Sequence, residues 1–89
     1  MPVKSFARPS FWRTYEALDP RVRAAARRAY LLFAENPEHP SLRFKRLGGY
    51  DQVWSVRINE QCRAVGERHG DAIVWAWIGS HSDFDKLFG

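Results

Sequence analysis

The stretch from Asp51 to Phe88, DQVWSVRINEQCRAVGERHGDAIVWAWIGSHSDFDKLF, decides the fold of this chain. It contains three runs of residues typical of β-strands, namely Gln52 to Asn59, Cys62 to Glu67 and Ala72 to Gly79. In the first run, Trp54, Val56 and Ile58 fall on one face, whereas Arg57 falls on the other. This alternation predicts an antiparallel sheet with one apolar face against helices and one face open to solvent.

The segment between the first two runs predicts the turn of a β-hairpin, with Asn59 to Gln61 as its loop. A three-residue loop pairs Ile58 with Cys62 and sets Arg57 opposite Arg63 on the open face. A two-residue loop sends the two arginines to opposite faces. We favour the three-residue loop, because the other arrangement would bury an unpaired guanidinium among apolar side chains. The hairpin therefore predicts a pair of neighbouring arginines, an arrangement suited to holding an anion.

The third run is apolar on both faces, which predicts a strand in the interior of the sheet, covered by helices on one side. Trp75 and Trp77 are two residues apart and are expected to share a face, with core packing as their main role.

Two helices are predicted ahead of the sheet. Ser10 is a candidate N-cap for a helix from Phe11 to Leu18, and Asp19 followed by Pro20 is a start signal for a second helix that runs to about Asn36. Its buried stripe consists of Val22, Ala25, Ala26, Ala29, Leu32 and Phe33. The arginines of this helix, Arg21, Arg23, Arg27 and Arg28, form either a solvated face or an interface for an acidic partner chain.

Two further strands complete the prediction, an edge strand from Val3 to Phe6 and a basic strand from Ser41 to Leu47. The expected fold class is α+β, as a single domain over residues 1–89. Two N-terminal helices pack on one face of a small, mainly antiparallel sheet, and a short helical turn ends the chain.

The composition favours an anionic partner. The 89 residues include 14 Lys and Arg against 10 Asp and Glu, which gives a net charge of +4 and a pI near 9.7. Eleven of the basic residues are arginines, whose planar guanidinium suits phosphate contacts. Nucleic acid and an acidic protein are the leading candidates.

Cys62 is the single cysteine, so the sequence predicts neither a disulfide nor a cysteine-based metal site. No run of residues is long and apolar enough to cross a bilayer, and the N-terminus lacks the apolar core of a signal peptide. We therefore expect a cytoplasmic protein without a metal, a cofactor or a membrane partner.

Three motifs resemble the RelE/ParE superfamily of toxins from bacterial type II toxin–antitoxin modules. They are Trp54-Ser55-Val56-Arg57-Ile58, then Arg63 with Ala64 and Val65, and the ending Gly79-Ser80-His81. The resemblance covers nearly the whole chain. It implies a RelE-like fold, a cognate antitoxin, and one of two activities. RelE, YoeB and HigB relatives are endoribonucleases that cleave messenger RNA on the ribosome, whereas ParE relatives inhibit DNA gyrase.

The resemblance also implies roles for single residues. Arg57 and Arg63 match arginines that hold the scissile phosphate, and His81 matches a C-terminal histidine of the YoeB-like branch. Lys45 or Arg46 matches a basic strand that binds substrate phosphates.

The chain departs from the family pattern at Phe84, where many relatives have a tyrosine. A phenyl ring can stack on a base of the substrate but cannot transfer a proton. A toxin-fold binding module without activity is therefore a third possibility.

Metal-free RNA cleavage needs the 2′-hydroxyl deprotonated, the phosphate charge neutralised and the leaving 5′-oxygen protonated. Imidazole ionises near neutral pH, which makes His81 the predicted proton-transfer group. No glutamate matches the base of the YoeB-like branch, and Asp51, Asp83 and Asp85 are the carboxylate candidates.

Overall fold

The computed structural model describes residues 3–89, so the first two residues of the predicted domain lie outside the described chain. Its helices and strands, in chain order, are β1 Lys4–Ala7, α1 Pro9–Glu16, α2 Pro20–Glu35, β2 Lys45–Arg46, β3 Val53–Asn59, β4 Cys62–His69, β5 Ala72–Ser80 and α3 His81–Phe88. Among these residues, no helix has the length and apolar character needed to cross a bilayer.

The strands form one five-stranded sheet in the order β1-β5-β4-β3-β2. Strand β1 runs parallel to β5, and the other neighbours are antiparallel. Helix α1 packs on β5 and α2 packs near β3, with Ala26, Ala29 and Phe33 of α2 buried in the core. The predicted α+β fold, with two N-terminal helices on one face of a mainly antiparallel sheet, is confirmed.

Helix α2 begins as predicted. Pro20 is its first residue, and the carboxylate of Asp19 accepts a hydrogen bond from the backbone N–H of Arg21 at 2.8 Å. Helix α1 begins two residues earlier than predicted, at Pro9. Ser10 is therefore not its N-cap; its hydroxyl instead donates to the carbonyl of Ala76 at 2.9 Å and ties the helix to β5.

One of the α2 arginines has a role that the sequence prediction did not include. The guanidinium of Arg23 donates to the carbonyls of Glu16 and Leu18, both at 3.1 Å. These carbonyls lie at and just beyond the end of α1, where a helix leaves its acceptors unpaired. Arg23 thus joins the two helices instead of only covering a solvated face.

The predicted basic strand from Ser41 to Leu47 is mostly wrong. Residues Pro40–Leu42 form a 3₁₀ turn, and only Lys45–Arg46 are paired as a strand. Pro40 starts the turn because its ring fixes a helical φ, and Leu42, only 2% exposed, anchors the turn in the core. Arg43 follows with a positive φ of 44°.

The prediction that Trp75 and Trp77 share a face is also wrong. Trp75 pairs with Gly66 and Trp77 pairs with Val65, so the register shifts at the residue between the two tryptophans. This β-bulge places consecutive tryptophans on opposite faces of the sheet. Trp75 packs against Phe33 in the helix-side core. Trp77 lies on the opposite face of the sheet.

Candidate functional site

The β3–β4 hairpin brings the two predicted site arginines together, although by a different route from the one expected. Asn59 pairs with Cys62 across a two-residue turn, so the predicted pairing of Ile58 with Cys62 is wrong. The register shifts at Ile58, and this bulge compensates for the shorter turn. Arg57 therefore lies directly opposite Arg63, as predicted.

The open face of the sheet carries this arginine pair. Val56 and Ala64, the neighbours of the two arginines along their strands, are paired with each other and buried in the helix-side core. Because side chains alternate along a strand, Arg57 and Arg63 lie on the opposite face.

The guanidinium of Arg63 is folded back onto the hairpin. Its Nη1 donates to the carbonyl of Asn59 at 2.6 Å and to that of Cys62 at 3.1 Å. Burial lowers the pKa of Arg63, and the neighbouring charges of Arg57 and Arg43 lower it further. The side chain is thus a fixed cation in a region of concentrated positive charge.

Arg57 is held more loosely. Its Nη2 lies 3.8 Å from a carboxylate oxygen of Glu60, and the Glu60 side chain is 90% exposed. An ion pair of this kind contributes little to stability, because solvent screens it. Arg57 can therefore exchange its ion pair with Glu60 for a contact with the phosphate of a ligand at a small cost in free energy.

Arg43 is a third member of this cluster, and sequence reasoning missed it. Its positive charge, after burial and the charge of Arg57, also lowers the pKa of Arg63. The sequence carried no clear signal for it, because Arg43 follows a 3₁₀ turn with a positive φ and lies outside the ladder that pairs Lys45 with Ser55.

The structure separates the two residues predicted to hold substrate phosphates. Lys45 pairs with Ser55 on the open face, the face of the arginines. Arg46 pairs with Trp54, which packs against the helix-side core. Lys45 is therefore brought to the arginine cluster, and Arg46 is not.

His81 is the first residue of α3 and lies beside the hairpin. Its backbone N–H donates to the carbonyl of Gln61 in the turn at 2.7 Å. Ser80 caps the helix by accepting from the N–H of Asp83 at 3.1 Å. The imidazole Nε2 lies 3.2 Å from Oδ2 of Asp85, one turn along the helix. The predicted C-terminal turn is thus a helix of eight residues that fixes a histidine near the arginines.

A row of aromatic side chains packs α3 against the open face of the sheet. The ring centroids of Trp77 and Phe88 are 5.5 Å apart, those of Phe88 and Phe84 are 5.7 Å apart, and those of Phe84 and His81 are 6.3 Å apart. Phe84 is half-buried in this row. The predicted base-stacking residue therefore also holds the helix that carries His81.

These side chains give the site the chemistry of an anion-binding surface with one group that can transfer protons. Within residues 3–89, no cluster of three or more His, Cys, Asp or Glu side chains is placed to hold a metal ion.

An apolar cleft on the opposite face of the molecule is a second notable surface. It has a volume of about 540 Å³ and lies between α1 and α2, with Val56, Ala64 and Ile78 of the sheet among its lining residues. Large apolar side chains along it remain open to solvent, namely Phe6, Trp12, Tyr30 and Leu31, which are 48–67% exposed. Exposed apolar surface of this kind marks interaction sites.

The comparisons with known proteins agree with this geometry. The sequence model of the ParE-like toxin domain matches residues 20–86, about three quarters of the chain. The chain belongs to the ParE-like toxin family. It is therefore a member of the RelE/ParE toxin superfamily, as the sequence motifs predicted. Comparison with curated protein sequences gives no significant match.

Solved structures of several bacterial and archaeal toxins and toxin–antitoxin complexes have the same fold. A YoeB/ParE toxin from Agrobacterium tumefaciens has a TM-score of 0.68 and 21% identity, with 89% of this chain and 99% of that chain covered. A chain of the E. coli DinJ–YafQ toxin–antitoxin complex has a TM-score of 0.74 and 11% identity over 100% of both chains. The RelB–RelE antitoxin–toxin complex of Methanococcus jannaschii gives a TM-score of 0.70 and 15% identity, covering 94% of this chain and 99% of that chain. At these identities the likeness establishes the fold.

Proposed function

We propose that this ParE-like family member is the toxin of a type II toxin–antitoxin module, and that it cleaves messenger RNA on the ribosome without a metal ion. The observation that carries the proposal is the cross-strand pair of Arg57 and Arg63 on the open face, next to the helix that begins with His81. Action on ribosome-bound message also requires that the protein be cytoplasmic.

The arginine cluster supplies the positive charge that such a reaction needs. Two like charges in adjacent positions of a sheet destabilise it by roughly 0.2–1 kcal/mol. Here Arg57 and Arg63 are paired, and Arg43 adds a third charge close by. A phosphate bound between them would relieve this repulsion, and fixed guanidinium groups would stabilise the charge that develops on the phosphate oxygens.

His81 would transfer the proton. In the proposed step, its imidazole removes the proton of the 2′-hydroxyl, whose oxygen attacks the adjacent phosphorus. The bond from phosphorus to the 5′-oxygen breaks, and water protonates this leaving oxygen. The products are a 2′,3′-cyclic phosphate and a 5′-hydroxyl end. Lys45 would bind a neighbouring phosphate from the edge of the sheet, and Phe84 would stack on a base.

The proposal is tested in a translation extract to which the purified protein is added, with cleavage of the message mapped by primer extension. We expect cleavage by the wild type and a loss of about 100-fold or more for Arg57→Ala, because an electrostatic contact made in the transition state is removed. Arg13→Ala, which removes an exposed arginine of α1, is the matched control and keeps activity.

Two other outcomes would redirect the proposal. Inhibition of DNA gyrase supercoiling by the wild type, with intact messages, would identify a ParE-like gyrase inhibitor instead. An inactive wild type that gains cleavage in Phe84→Tyr would show that the site lacks only a proton-transferring phenol. Intact messages with both proteins would leave a toxin-fold binding module.

We further propose that the cognate antitoxin covers the apolar cleft between α1 and α2 with an amphipathic segment that is acidic along its edges. Among the described residues that line the cleft, Arg27 is the only charged one, and it spans the cleft by donating to the Tyr15 hydroxyl at 2.8 Å. A partner with apolar side chains for the cleft and carboxylates for the α2 arginines would complement this surface.

A further inference from the structure

We propose that Asp85 is a positioning residue that fixes the tautomer of His81, so that Nδ1 is the ring nitrogen that exchanges a proton with the RNA. The inference rests on the proposed function, in which His81 is the proton-transfer group. It adds the atom through which the transfer takes place and a residue that controls it.

The contact between the two side chains favours one tautomer of the imidazole. Nε2 of His81 lies 3.2 Å from Oδ2 of Asp85. An ionised carboxylate can only accept hydrogen bonds, so this contact favours the tautomer that carries the hydrogen on Nε2. A neutral imidazole has one such hydrogen, which leaves the lone pair on Nδ1. Only Nδ1 is then free to remove a proton from a 2′-hydroxyl.

The backbone holds both partners in place. Residues four apart on a helix face each other, and α3 is fixed at its start by the Ser80 cap and by the bond from the His81 N–H to the carbonyl of Gln61. The pair therefore cannot drift away from the hairpin without breaking the first turn of the helix.

The charge of Asp85 also acts on the arginine cluster. Its carboxylate raises the pKa of Arg63, opposing the effect of burial and of the neighbouring arginines. The carboxylate thus acts electrostatically on Arg63 as well as contacting the imidazole. Asp83, a carboxylate of the same helix, makes no described contact with the imidazole.

The tautomer is measured by long-range ¹H–¹⁵N NMR of the imidazole resonances, at a pH where the ring is neutral. We expect the wild type to show His81 with the hydrogen on Nε2 alone. In Asp85→Ala both tautomers become populated, which moves the Nδ1 resonance toward its protonated position. Asp83→Ala, the matched control, leaves the wild-type pattern. Circular dichroism verifies that each variant is folded.

A kinetic measurement complements the spectra. We expect Asp85→Ala to lower kcat about tenfold with little change in KM, because part of the general-base contribution is lost while phosphate binding remains. Asp85→Asn keeps an oxygen acceptor and should recover most of the loss.

Failure of this inference is distinct from failure of the proposed function. A wild type with the hydrogen on Nδ1, or an Asp85→Ala variant with unchanged spectra, overturns the role of Asp85 whether or not RNA is cleaved. A wild type that cleaves no message overturns the proposed function, while the NMR result still decides the tautomer.

Discussion

Cys62 shows how strongly the position of a single side chain controls its chemistry. It lies at the start of β4, is 2% exposed, and belongs to the core. Burial raises the pKa of its thiol from 9.0 to about 11, because the thiolate would lose its solvation, and the nearby charge of Arg63 offsets only part of this effect. The thiol is therefore protonated and unreactive at neutral pH.

This shift predicts a loss of stability in alkaline solution. The folded-state pKa is above the unfolded value, so the unfolded chain releases the proton first as pH rises. The contribution of the protonated Cys62 thiol to the free energy of unfolding is complete below pH 9, and it disappears as the pH rises through about 11. Urea denaturation should show the wild type losing up to about 3 kcal/mol relative to Cys62→Ala across this window. A constant difference between the two proteins would contradict the assignment.

The sequence was sufficient for some residues of the site and not for others. The faces of Arg57 and Arg63 could be predicted because a charged side chain is excluded from an apolar core. Arg43 could not, because its place depends on a positive-φ residue after a 3₁₀ turn, which alternation of side chains does not reveal. The contact between His81 and Asp85 requires a full helical turn, and sequence reasoning gave α3 no defined length.

The packing of α3 against the sheet depends on Gly79 in strand β5. A methyl group at this position would lie 2.8 Å from Cη2 of Trp77 and closer still to Cζ2 of the same ring. The indole would have to move, although it packs on Phe88 of α3.

We therefore expect Gly79→Ala to lower the free energy of unfolding by about 1–3 kcal/mol, as overpacking does elsewhere, and to loosen α3. Urea denaturation measures the first effect, and amide hydrogen exchange of residues 81–88 measures the second. Gly48→Ala is the control, since a methyl there meets nothing within 4 Å. Equal stabilities for the two variants would show that the indole shifts freely.

The lengths of the elements were predicted best where the signals were local. Asp19 and Pro20 gave the start of α2 because the cap acts through neighbouring atoms. The two bulges were missed because each depends on pairing with another strand. The alternation of side chains between the two faces of β5 breaks at Ala76, and no change in residue type marks the break. The sequence therefore predicted one shared face for two tryptophans that lie on opposite faces.

At the scale of the whole molecule, the two faces of the sheet divide the proposed functions. Leu31, on α2, is 67% exposed beside the apolar cleft, and Leu87, on α3, is 57% exposed outside it. A carboxylate at position 31 would meet both an apolar surface and an acidic partner, which is unfavourable on both counts.

We expect Leu31→Glu to weaken binding of the proposed cognate antitoxin by at least about tenfold, or about 1.4 kcal/mol, in isothermal titration calorimetry. Leu87→Glu is the matched control and binds as the wild type does. Comparable loss in both variants would place the antitoxin elsewhere.

The overall architecture could be predicted because burial patterns repeat along every element, and the sheet with its helix-covered face follows from them. The order of the strands in the sheet could not be predicted from the sequence. The parallel pairing of β1 with β5 joins residues far apart in the chain, and no local pattern records which distant edge a short strand will choose.

That parallel pairing also sets the timing of assembly during translation. Strand β1, Lys4–Ala7, can pair only after residues 72–75 of β5 have been synthesised. Helix α1 lacks the strand on which it packs until then. The sheet therefore stays incomplete for most of the synthesis of the chain, because the β3–β4 hairpin lacks β5 and α3 until the last residues have been added.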